Sequence, residues 1–210
     1  MNCRKGDLVP LVEDLEKANV IKRGHFLLTS GRHSDTYINK DSIFCNPVLF
    51  NDIINVMFLK AQKWDFDVIT GPAIAGAVLA APLSYYLGKI FVYPEKVLTE
   101  PYYQDKKNYE MKFRRGYDKV LKDKKVLIVE DIITTGGSVL KTIDSIYDCG
   151  GVPGMVLAIW NRSGWSNNHC EVDSLINEKV ESWDQDEHGN CPDCHNGIPL
   201  VDPKTMKEIK

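Results

Sequence analysis

The stretch "VLIVEDIITTGGS", residues 126–138, constrains the fold more than any other part of the chain. Val126 to Val129 form an unbroken aliphatic run, which reads as a strand buried on both faces. Two carboxylates, Glu130 and Asp131, close the run, and two threonines, two glycines and a serine follow. This order delivers a polar loop rich in backbone N–H groups to one edge of a sheet, where a helix starts. Exposed amides and the positive end of the helix dipole make Thr134, Thr135, Gly136, Gly137 and Ser138 a cradle for phosphate. Carboxylates just upstream would repel a phosphate but accept hydrogen bonds from the hydroxyls of a sugar. A ligand with a diol beside a phosphate suits both halves. Other readings fit less well. The acid pair of a receiver domain closes the first strand and lacks a following Thr-Thr-Gly-Gly-Ser, and the chain holds neither G-x-x-x-x-G-K-[ST] nor a helix-opening G-x-G-x-x-G. A purely structural turn, with Asp131 as a cap, is the remaining alternative.

The same pattern occurs earlier. "FDVIT" leads into "GPAIAGAVLAAPLSYYLG" much as "KKVLIVED" leads into "IITTGGSVLKTIDSIYDCG". With "KIFVYP" and "GMVLAIWNR" as further strands, the chain is expected to be α/β, a mostly parallel central sheet flanked by helices. Ligands in such sheets bind beyond the strand carboxyl ends, where these loops lie. Ahead of this core, Leu8, Leu11, Val12, Leu15 and Val20 share one helical face. "HFLLTSGRHSDTYINKD" reads as a hairpin around a Ser-Gly-Arg turn. Asn46 and Pro47 supply the cap and first turn of a helix running to about Gln62. The charged stretch between Tyr93 and Asp123 has no clean periodicity and reads as a lid, centred on Leu98 to Gly116. The organisation expected is an N-terminal helix and hairpin over 1–45, the α/β core over 46–170, and a polar, turn-rich C-terminal extension over 171–210.

A length of 210 residues with 43% hydrophobic content supports one large domain with at most a small appendage. No window approaches the roughly 20 apolar residues of a membrane span, so no membrane segment is expected. The net charge of −3 offers no global attraction to nucleic acid, and an anionic ligand must be met locally, for instance by Lys106, Lys107, Arg114 and Arg115. The six cysteines are dispersed, which is not a disulfide framework and suggests a reducing cytoplasm. Only Cys191 and Cys194, in "CPDCH", form a close pair. With His195 they have half the spacing of a zinc site, which Cys170 or His169 would complete; a tight turn with reduced thiols is the alternative.

"VLIVEDIITTGGS" resembles the phosphoribosyl-pyrophosphate (PRPP) binding motif of type I phosphoribosyltransferases, in which a strand, two acids and a Thr/Gly-rich loop hold the ribose and its 5-phosphate. "GPAIAGAVLA" resembles the family's pyrophosphate loop. "FLLTSGRHSDTYINKD" is similar to the N-terminal hood of the orotate-specific members, with Ser30, Gly31, Ser34 and Tyr37 at matching places, and Asn161-Arg162 resembles the pair whose arginine faces the orotate carboxylate. The resemblance spans Gly6 to Arg162. Thr29 and Ala75 stand where the family usually carries lysine. The resemblance implies the type I phosphoribosyltransferase fold with an N-terminal hood, and transfer of the 5-phosphoribosyl group from PRPP to orotate in pyrimidine biosynthesis, giving orotidine 5'-monophosphate and pyrophosphate. It further implies Mg2+ bound through PRPP, a homodimer, and definite roles. Ala73, Ile74, Ala75 and Gly76 hold the diphosphate, Thr134 to Ser138 the 5-phosphate, and Glu130 and Asp131 the ribose. Arg162 and Thr134 meet orotate, and Lys96 with Asp131 serves the chemical step. A phosphoribosyltransferase for purines or another base, and a PRPP-binding regulator without turnover, remain open alternatives.

Overall fold

A computed structural model of the chain describes residues 10–28, 31–99, 108–184 and 190–209. They fall into two units, Met1–Phe50 with Lys179–Lys210, and Asn51–Glu178. Leu8, Thr29, Ser30, Lys106 and Lys107 lie outside the described residues.

In the first unit, helix α1 (Pro10–Lys17) precedes an antiparallel hairpin of β1 (Ile21–Leu27) and β2 (His33–Ile38). The hairpin expected around the Ser-Gly-Arg turn is therefore present, although β1 starts four residues earlier, at Ile21, than its sequence signal at His25. A short helix α2 (Asp41–Phe44) follows, and α3 (Pro47–Ala61) opens as expected, the Asn46 side chain accepting the Leu49 N–H at 3.1 Å.

The second unit carries the sheet. Its elements are β3 (Val68–Thr70), α4 (Ala75–Leu87), β4 (Ile90–Phe91), β5 (Glu95–Leu98), β6 (Tyr109–Lys112), α5 (Tyr117–Leu121), β7 (Lys125–Ile133), α6 (Gly137–Asp148), β8 (Val152–Asn161) and β9 (Glu171–Ile176). Five strands pair in the order β4-β3-β7-β8-β9, every pairing parallel. Strand β7 lies at the centre, which is why its aliphatic run carries no polar face. Val126 and Ile128 pack with Val139, Ile143 and Ile146 of α6. The period of two turns Leu127 and Val129 to the other face, and they are equally buried.

Two expectations are revised here. Strand β9 falls beyond the core boundary expected at residue 170. Its alternation is broken by Asp173 and Ser174; Asp173 is answered by Lys60 of α3, whose Nζ donates to both carboxylate oxygens at 2.9 and 2.8 Å and also to the Ser174 backbone carbonyl at 2.9 Å. The stretch read as an irregular lid contains the antiparallel hairpin β5–β6. Its strands, EKVL and YEMK, mix charged and apolar residues, and only Met111 is deeply buried, so hydrophobicity does not mark them.

The C-terminal extension is not a surface tail. Its last helix is α7 (Pro192–His195), and its flanks pair with both edges of the first hairpin. Leu27 N–H donates to the Val201 carbonyl at 3.1 Å and Val201 N–H to that of His25 at 2.9 Å, while Trp183 and His33 exchange two bonds of 2.8 and 2.9 Å. A lone two-stranded hairpin is marginal in water, and strand partners on either edge satisfy its open backbone groups.

Candidate active site

The helix after β7 begins at a glycine in the left-handed region. Gly136 has φ +70° and caps α6 with no side-chain hydrogen bond, and the first intrahelical bond runs from Leu140 N–H to the Gly136 carbonyl at 2.8 Å. The amides of Gly137, Ser138 and Val139 precede that bond and so have no partner within the helix. They border a pocket lined by Glu130 and by every residue from Ile132 to Val139. The loop of the sequence motif thus borders a cavity whose lining includes both the start of α6, with its amides and helix dipole, and Glu130.

The two acids divide. Glu130 belongs to the pocket wall, and its Oε1 accepts the Asp131 N–H at 3.0 Å. Asp131 is only 2% exposed and is not among the lining residues; its Oδ1 accepts the Ile132 N–H at 2.6 Å. Strand alternation accounts for this, since neighbouring side chains leave β7 on opposite sides.

The loop Ala73 to Gly76 reaches the same strand end by close backbone approach. A Cβ on Gly76 would lie 2.5 Å from the Val129 carbonyl oxygen and one on Gly71 2.6 Å from it, besides overlapping the Gly76 backbone. Only glycine fits at either place, so the two loops meet next to Glu130. The loop carries a cis peptide bond between Ala73 and Ile74 and runs into α4, whose N-cap makes no side-chain hydrogen bond.

Arg162 follows β8 directly, its N–H donating to the Ile133 carbonyl at 3.1 Å, which sets it beside the end of β7. Burial pushes its guanidinium below the ordinary value, and no carboxylate is paired with it among the described residues. Asn161 supports this turn: its amide donates to the Trp165 carbonyl at 2.9 Å and its oxygen accepts the Trp165 N–H at 2.9 Å. The Trp165 indole occupies the space where a Gly136 Cβ would stand. Trp165 was missed by the sequence reading, because nothing in a turn four residues past a strand marks a tryptophan as a partner of a distant glycine.

Lys96 lies on β5. Its ammonium is 5.0 Å from the centroid of the Tyr109 ring, and Lys141 of α6 is 3.6 Å from the same centroid. The Tyr109 hydroxyl is 3.2 Å from Ser138 Oγ, so one tyrosine links both cations to the cradle. Tyr109 and Lys141 carry no motif and were also missed. Arg115 is engaged elsewhere, its Nε donating to Glu95 at 2.8 Å, and Arg114 is exposed. Cys191 and Cys194 lie in the first unit, and the groups near their sulfurs are His25 and His33 rather than Cys170, His169 or His195.

The sequence profile of the phosphoribosyl transferase domain matches residues 41–184. An orotate phosphoribosyltransferase of Caldanaerobacter subterraneus subsp. tengcongensis is 34% identical over 198 residues, 94% of this chain and 97% of that protein. A second, from Thermoanaerobacter sp., is 35% identical over the same shares. Among solved structures, that of an orotate phosphoribosyltransferase from Aeropyrum pernix superposes with a TM-score of 0.62 at 23% identity, covering 79% of this chain and 92% of that one, a likeness of fold.

Proposed function

The chain belongs to the phosphoribosyl transferase domain family, together with curated orotate phosphoribosyltransferases, and from that premise we propose that it transfers the 5-phosphoribosyl group of PRPP to orotate. The observation that carries this reading is the pocket itself, whose wall combines the start of α6, with its uncapped amides, and Glu130. In the reaction the bond between the ribose anomeric carbon and the diphosphate oxygen breaks and a bond to a ring nitrogen of orotate forms. Charge grows on the departing diphosphate and the sugar becomes cation-like, so the protein's work is to position both partners and meet that charge.

In this reading Thr134 to Ser138 bind the 5-phosphate through amides and hydroxyls, and Glu130 accepts hydrogen bonds from the ribose. Asp131 fixes the end of β7 through its bond to Ile132 and completes the acidic pair once the sugar is bound. Ala73 to Gly76 offer amides to the diphosphate, with Lys96 as the cation nearest the leaving group. The half-buried, ion-pair-free Arg162 suits a planar carboxylate, which a guanidinium grips with two parallel bonds. Thr134 borders the same turn. The side-chain donors in the pocket wall are oxygens, from Glu130, Thr134, Thr135 and Ser138, the donor type that magnesium takes. Bound through PRPP, Mg2+ supplies positive charge against the diphosphate.

A homodimer is proposed on the exposed apolar surface of α4 and its cap, where Ile74 is 79% and Tyr85 82% exposed and Val78 and Tyr86 are also open. A cytoplasmic location is supported by the thiols, since none of the described cysteines is in a disulfide. No described helix is long and apolar enough to cross a membrane. The test of the reaction is an ultraviolet assay with PRPP, Mg2+ and a panel of bases. Consumption of orotate is the expected result; turnover of adenine, guanine or hypoxanthine alone would overturn the choice of base.

A further inference from the structure

His25, His33, Cys191 and Cys194 come together in the first unit, and the proposed transferase reaction uses none of them. Their ligand atoms all lie within 4.8 Å of one another, and the first three residues are buried. His25 Nε2 is 3.0 Å from His33 Nδ1, 3.4 Å from Cys191 Sγ and 3.5 Å from Cys194 Sγ, and Cys194 Sγ is 3.2 Å from His33 Nδ1. We propose that these four side chains bind one zinc ion in a closed, structural site.

The argument begins with separations. Zinc bonds of about 2.0–2.1 Å to nitrogen and about 2.3 Å to sulfur give tetrahedral edges of roughly 3.3–3.8 Å. The four short distances fall at or just below that size, and the remaining pairs stay within 4.8 Å, a spread that closing on one ion would even out. The second argument is the tautomer of His25. Its Nδ1 is 2.8 Å from the Ile198 carbonyl oxygen, which can only accept, so Nδ1 carries the proton and the Nε2 lone pair faces the cluster. A backbone carbonyl holding the far nitrogen is the usual support of a metal-binding imidazole. Hydrogen bonding cannot satisfy the group by itself, because three neighbours converge on that one lone pair. A central cation takes one lone pair from each of the four instead.

The fold prepares the ligands in two pieces. The register of β1 against β2 shifts between Arg23 and Phe26, and beyond the shift Leu27 stands opposite His33. His25, two residues from Leu27, therefore shares the face of His33. Cys191 caps α7 and Cys194 follows within its single turn. Two thiolates balance the charge of a divalent ion, their protons passing to solvent, and a tetrahedral set of two sulfurs and two nitrogens is the donor set of zinc. Four protein ligands leave no open position, so the ion would join the C-terminal segment to the hairpin rather than act on a substrate.

Metal analysis of the full-length protein, purified without chelator, tests this. One zinc per chain is expected. After chelation, Co2+ should restore a visible tetrahedral spectrum with a thiolate charge-transfer band, and the melting temperature lost on chelation should return with Zn2+ but not with Mg2+. Cys191→Ser and His33→Asn should each lose the metal, while Cys170→Ser and His195→Asn keep it. A wild-type chain that carries no stoichiometric metal and gives no cobalt spectrum would overturn the proposal, whatever the variants do. So would loss of metal in Cys170→Ser or His195→Asn with retention in His33→Asn.

Discussion

Gly136 is the residue on which the proposed phosphate cradle turns. Any side chain there meets two obstacles, the left-handed φ of +70° and the Trp165 indole. Left-handed strain costs about 1–3 kcal/mol, and overpacking adds about 1–3 kcal/mol more. Gly136→Ala should therefore lower the melting temperature and raise the KM for PRPP about tenfold or more, since roughly 1.4 kcal/mol corresponds to a factor of ten. An unchanged PRPP KM in a folded variant would mean that these amides do not hold the phosphate. Arg162→Ala should raise the orotate KM on the order of tenfold to a hundredfold, the range of a charged hydrogen bond of about 1.5–3 kcal/mol. The PRPP KM should change far less, and Arg162→Lys should not restore the loss, because an ammonium offers one nitrogen where the guanidinium offers a rigid planar fork of two. Steady-state kinetics with each substrate varied separately decides both. The motif glycine was legible as a turn residue; its second constraint, the tryptophan, was not, since the two meet only once β8 lies beside β7.

Among the elements, the hairpin β5–β6 was the least legible, and it carries Lys96, the cation proposed for the leaving group. Its one deeply buried side chain among the strand residues is Met111, so the aliphatic run that reveals β7 as a strand is absent. What joins it to the site is Tyr109, through its ring to Lys96 and Lys141 and through its hydroxyl to Ser138. Tyr109→Phe keeps the ring and should cost only about 0.5–1.5 kcal/mol in PRPP binding, the worth of one neutral hydrogen bond. Tyr109→Ala removes the platform for both cations and should lower kcat as well. Equal kinetics of the two variants would show that the ring contributes nothing. Elements with one strong requirement were read correctly: α3 from its Asn-Pro start, β7 from its aliphatic run, α6 from the glycines ahead of it. Strand β9 is not marked in the sequence because its Asp173 answers to Lys60, a partner more than a hundred residues away in the chain.

At the scale of the whole molecule, the two ends of the chain build one unit. Val201 and Trp183 complete the edges of the N-terminal hairpin, and Arg32 donates to the Ser182 hydroxyl at 3.1 Å. A chain ending at Glu178 should therefore lose amide protection in β1 and β2 while β7 and β8 stay protected, as hydrogen exchange would report. Equal protection of the hairpin in both chains would count against this account. The sequence alone determined the parallel α/β core, the glycine-rich loop that opens α6 and the arginine after β8. Each of these is specified by contiguous residues: an aliphatic run buried on both faces, amides at one helix start, a charge at one strand end. Only the tertiary structure decided that Glu130 rather than Asp131 faces the pocket, that Tyr109 bridges the cations to the cradle, and that the partners of Cys191 and Cys194 are His25 and His33. Those facts rest on which side of a strand a side chain leaves and on contacts between distant segments, and neither is written in local spacing.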